Sequence, residues 1–151
     1  MQTNDTLEPD SADFLTTFRG SFTSALRWPQ LDALWARILA EPTGWYAYHV
    51  GEVPPVKPLR AEELKQLVET LDQLLRREHA EDYCGIVYAN DLARPVMVKV
   101  YDPHNLGMVC GSSTNPPLPG WVLSRLPPVD LAAQRPPRGR RRWWERVFAR
   151  Q

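Results

Sequence analysis

Asp102, His104 and Cys110 fall within one short stretch, and Cys110 is followed by Gly111-Ser112-Ser113. Those side chains suit a Cys–His–Asp nucleophile, in which an imidazole lowers the thiol pKa and a carboxylate orients the ring. The spacing argues against it. In an antiparallel hairpin Cys110 would face Lys99, whereas His104 would sit at the turn tip, several residues away; an Asp-Pro turn with a polar tip accounts for the same residues. No catalytic residue is assigned. A small hydrolase-type enzyme using Cys110 or the Asp102/His104 turn, with Tyr88 and Tyr101 lining its pocket, is the second reading.

Metal chemistry requires three or four converging ligands, and His49, His79 and His104 each stand alone, with neither cysteine at ligand spacing. A Cys84–Cys110 disulfide is disfavoured too, because an intervening strand would hold the two about 10 Å apart. Both thiols read as small core hydrophobes. Gly107, Gly111 and Gly120 form no phosphate-binding motif, so no cofactor is expected. Glu62, Glu63, Glu69 and Asp72 lie on a helix whose other side is leucine-rich, and a solvated face explains them better than acid–base catalysis. Trp45, Tyr46 and Tyr48, next to His49, could stack on a base or sugar, but core packing is favoured.

The strongest signal is the C-terminal stretch from Arg135 to Gln151. It carries seven arginines and one glutamate, leaving 11 basic and 17 acidic residues before it. A neutral average thus hides an acidic body near −6 and a basic tail near +6. At about 100° per residue, Trp143, Trp144, Val147 and Phe148 share one side of a helix, with Arg142, Arg146 and Arg150 on the other. So short a helix needs a surface to order it. A protein groove, in this protein or another, is the favoured surface, ahead of an anionic membrane, a nucleic acid and a tail that only solubilises or stays disordered.

The elements that would position these groups follow from periodicity. Residues 1–12 read as a flexible lead-in, 13–130 as one α+β domain and 131–151 as the basic tail. Phe14, Leu15, Phe18, Phe22, Ala25 and Leu26 recur at helical spacing, weakened by Gly20. Pro29 opens a second helix through Leu31, Leu34, Trp35, Ile38 and Leu39, which stops before Pro42. Trp45 to Val50 has a strand's composition, and Gly51 to Pro58 is a stiff Pro-rich crossover. A helix from Leu59 to His79 presents Leu64, Leu67, Val68, Leu71, Leu74 and Leu75 on one face.

Strands at Tyr83–Asn90, Val96–Asp102 and Gly107–Ser112 would form an antiparallel meander. Gly85, Val87, Ala89, Val96, Val98, Val100 and Val109 should face the leucine stripe. Cys84, Ile86, Tyr88, Met97, Lys99, Tyr101, Met108 and Cys110 form a mixed opposite face, either covered by the first helices or used for binding. Val122 to Pro128 reads as an edge strand or an extended arm. No apolar run approaches the roughly 20 residues needed to cross a bilayer, and nothing resembles a secretory leader, so a cytoplasmic location, at most peripheral to a membrane, is expected.

The expected function is that of a small non-catalytic cytosolic interaction or accessory protein. Arg140, Arg141, Arg142, Trp143, Trp144 and Phe148 of the tail, with Tyr88, Lys99 and Tyr101 of the sheet, would contact a larger protein partner. Nucleic-acid binding through the tail is the third reading.

Overall fold

The computed structural model describes residues 11–78, 84, 86–102 and 118–131. They form an α+β domain with helices α1 (Ser11–Phe18), α2 (Trp28–Ala40) and α3 (Ala61–Glu78). Five strands, β1 (Thr23–Ser24), β2 (Tyr46–His49), β3 (Val87–Ala89), β4 (Met97–Val100) and β5 (Trp121–Ser124), make one sheet in the order β1-β3-β4-β5-β2. Every neighbouring pair is antiparallel.

α2 and α3 lie on one face of the sheet. Leu31, Leu34, Trp35 and Ile38 of α2 and Leu64, Val68, Leu71, Leu74 and Leu75 of α3 pack with Val87, Ala89, Val98, Val100, Trp121 and Leu123. The leucine stripe therefore meets the β-branched face, as the alternation of side chains along a strand requires. Polar contacts fix the two helices together above this core. Trp35 Nε1 donates to Asp72 Oδ1 at 3.1 Å, and Arg76 bridges Asp72 and Asp32 at 3.0 and 2.6 Å while lying over the Trp28 ring.

The other face is covered by α1 and by the segment after β5. Phe14 packs with Tyr48, Val50, Met97, Val122 and Leu131, joined at the margin by Phe18, Phe22, Leu118, Leu126 and Val129. Of the two possibilities for the mixed face, coverage by the first helix holds at its centre. Lys99 sits at the margin, where its Nζ donates to the Phe18 carbonyl at 2.8 Å and lies 4.0 and 3.9 Å from the Phe18 and Phe22 ring centroids. A cation at the last residue of α1 suits the negative end of the helix dipole. Burial nevertheless lowers the ammonium pKa from 10.5 to about 8.

Four sequence expectations need correction. The first apolar run is not one helix: Arg19 and Gly20 close α1 by bonding to Leu15 and Thr17, and Thr23–Ser24 joins the sheet beside β3, extended by Ala25 N–H to Val87 O at 2.8 Å. Helical spacing cannot reveal this, because pairing across 64 residues decides it. Cys84 and Ile86 belong to the α2/α3 core rather than the opposite face, and Tyr101, beyond the end of β4, packs against that same core. β3 begins at Val87, so its alternation does not extend back to Cys84 and Ile86. β3 and β4 are themselves shorter than expected. Asn90 Oδ1 takes up the Val96 and Met97 N–H groups, and Asp91 Oδ1 those of Ala93 and Arg94, so side chains shape the connection between them. Finally, β5 is an inner strand between β4 and β2, with all four residues buried. Gly107–Ser112 lies outside the described residues.

Candidate binding groove

β2 is an edge strand that lies along β5, which puts His49 opposite Trp121 in register. The two rings stack with centroids 4.8 Å apart and planes 21° from parallel. Both are nearly buried, so the pair is a fixed wall. The chain then turns sharply: Glu52 N–H donates to His49 O at 3.0 Å, and Gly51 at the corner has φ +107°, where a side chain would be strained. This turn brings Glu52 Oε2 to 4.0 Å from His49 Nδ1.

The crossover from Glu52 to Pro58 contains Pro54, Pro55 and Pro58, which fix φ and stiffen it. Its far end is tied to the residue just before β2 by Leu59 N–H to Trp45 O at 2.8 Å. α3 begins directly afterwards. Glu63 caps its N-terminus, accepting from Arg60 N–H at 2.9 Å and from the Arg60 guanidinium at 3.2 Å. These bonds to the charged carboxylate, the backbone one first, lower the Glu63 pKa.

Strand end, crossover and first turns of α3 enclose a groove of about 600 Å³. Ala47, Val53, Pro55, Leu59 and Leu67 give it an apolar floor and sides, while His49, Glu52, Arg60, Glu63 and Gln66 place polar groups around Trp121. Such a surface can bury an apolar anchor and pair with a cation or with backbone amides beside it. Val53, on its wall, is 87% exposed, and Val56, three residues on, is 86% exposed.

A second groove, of about 460 Å³, runs between the end of α2 and the β3–β4 connection, with Arg37, Arg94, Arg125 and Trp45 among its lining residues. Arg125 is held internally: it donates to Thr43 O and Glu41 O at 2.9 and 2.7 Å and lies over the Trp45 ring. It clamps the loop between α2 and β2.

Asp102, of the imagined nucleophile site, is buried beyond the end of β4, while His104 and Cys110 lie outside the described residues. Tyr88 and Tyr101 are half-buried and meet edge to face at 5.7 Å. Lys99 is engaged by α1 as described above. Arg140, Arg141, Arg142, Trp143, Trp144 and Phe148 lie outside the described residues. Trp45 and Tyr48 are fully buried and pack in the core, Tyr46 is half-buried, and Ala47 and His49 of the same stretch line the groove. Sequence reasoning missed Trp121, Glu52 and Glu63 as companions of His49. The Pro-rich crossover was the one available signal; the rest depends on the β2–β5 register.

Among the described residues no group of three or more His, Cys, Asp or Glu could hold a metal ion, and no helix is long and apolar enough to cross a membrane. No protein-family model, curated protein or solved structure matches the chain.

Proposed function

We propose that this is a cytosolic, non-catalytic interaction protein whose crossover groove receives a segment of a larger protein partner, with the Arg/Trp tail as a second contact. The observation that carries the reading is the exposure of Val53 and Val56 on a proline-stiffened loop at the groove. Apolar side chains held out on a rigid loop lose little entropy when covered, so their burial translates efficiently into affinity. At about 25 cal/mol per Å², two valines and the floor beneath them supply several kcal/mol once covered. The Arg140–Arg142 run and the aromatic residues after it add charge and contact area beyond the groove. Support for a reducing compartment comes from Cys84, a free thiol sealed in the core.

Affinity capture with the full chain tests this. Val53→Asp/Val56→Asp should retain the wild-type unfolding midpoint and lose at least about tenfold of the captured partner, since covering two carboxylates in an apolar contact is costly. Equal capture by both chains would exclude the groove.

A further inference from the structure

We propose that in the free protein this groove is filled by the chain's own C-terminal segment, residues 140–150, which a partner must displace; the inference rests on the groove being a docking surface. The path of the chain supports it first. Leu131 N–H donates to the Tyr48 hydroxyl at 2.9 Å in a buried contact, so the described chain ends anchored to β2. Tyr48 packs in the α1 layer and its neighbour His49 faces the groove, on opposite faces of the same edge strand. The segment that follows therefore starts at the strand the groove opens beside, across an edge of the sheet. From Ala132 to Arg140 is nine residues, which span up to about 30 Å when extended. That exceeds the roughly 10 Å between packed layers that the chain must round.

Chemistry supports it second. Glu52, and Glu63 with its partner Arg60, stand beside apolar surface of Val53, Pro55, Leu59 and Leu67, and Glu52 is the carboxylate that Arg60 does not hold. Arg140, Arg141 and Arg142 followed by Trp143 and Trp144 offer the complement, cations adjoining large aromatic surface. The acidic body and basic tail favour the same contact at longer range. A volume of about 600 Å³ suits aromatic anchors rather than a whole helix, so Trp143 and Trp144 are the residues that enter.

A tethered segment meets its site at an effective concentration in the mM range, so an intrinsic Kd of about 0.1 mM gives roughly tenfold occupancy over the open form. Amide exchange on the full chain reads this out. Val53, Val56 and Lys57 should exchange about tenfold more slowly in the wild type than in Trp143→Ala/Trp144→Ala, with α3 amides unchanged as the control for folding. Glu52→Lys with the tail intact should speed the same amides. Equal rates in the wild type and both variants would overturn the proposal. So would a difference that grows with protein concentration, which would put a second copy's tail in the groove. Equal rates together with loss of partner by Val53→Asp/Val56→Asp would remove self-docking and leave the docking surface standing. Slow exchange with capture unaffected by that variant would do the reverse.

Discussion

Tyr48→Phe removes the bond that anchors the end of the described chain. The substitution keeps the ring, and with it the edge contact to Phe14 at 6.5 Å, and removes the oxygen that accepts Leu131 N–H at 2.9 Å. Leu131 is 5% exposed and Tyr48 fully buried, so the stranded N–H has no direct access to water. A buried donor left without its acceptor costs about 1–3 kcal/mol. The lower half of that range is expected here, because Val129 to Leu131 can lift away and rehydrate the amide once the bond is gone. A loss of about 1–2 kcal/mol corresponds to a fall in Tm of roughly 2–8 °C for a chain of this size. Urea unfolding followed by tryptophan fluorescence measures the loss, and amide exchange at Leu131 locates it. Unchanged stability, within about 0.3 kcal/mol, would refute the reasoning. So would a full loss with Leu131 still protected, since the hydroxyl would then act somewhere other than at the chain's exit.

Leu71→Ala, at a fully buried position where the leucine stripe meets the sheet, should cost about 2–5 kcal/mol in the same urea assay. The Lys99 pKa, lowered from 10.5 to about 8 by burial, makes the unfolded chain hold a proton that the folded chain has released. Stability from this group should therefore rise with pH between about 8 and 10.5, and the rise should vanish in Lys99→Met; taking the difference between the two chains removes contributions from other titrating groups. The Cys84 thiol is buried, which raises its pKa, so alkylation at pH 8 should label it only as fast as the protein unfolds.

Elements whose cause is local could be read directly from sequence. α2 starts around Pro29 and α3 carries Glu62 and Glu63 in its first turn and Arg76 and Arg77 in its last, all features of neighbouring residues. The pairing of the leucine stripe with Val87, Val98 and Val100 was equally legible, because that strand face is uniformly small and β-branched whereas the opposite one mixes Met97 with Tyr88 and Lys99. What remained hidden is non-local. Thr23–Ser24 carries no strand signature and becomes one because β3 offers it a free edge. β5 was disguised by its prolines: Pro119 precedes it and Pro127 follows it, which reads as an exposed arm, yet the four residues between are all buried. The candidate site inherits that difficulty. His49 gains meaning only when β5 sets Trp121 against it and the Gly51 turn returns Glu52 to its side.

The most direct test of the docking account places a photo-reactive side chain at position 56 of the full-length protein and irradiates it in extract from the native cell. The account predicts a discrete higher-mass adduct with one protein, mapped on this chain to the crossover and α3, and lost when Val53 is replaced by Asp in the same chain. Adducts with nucleic acid or lipid, or none beyond the chain itself, would contradict it.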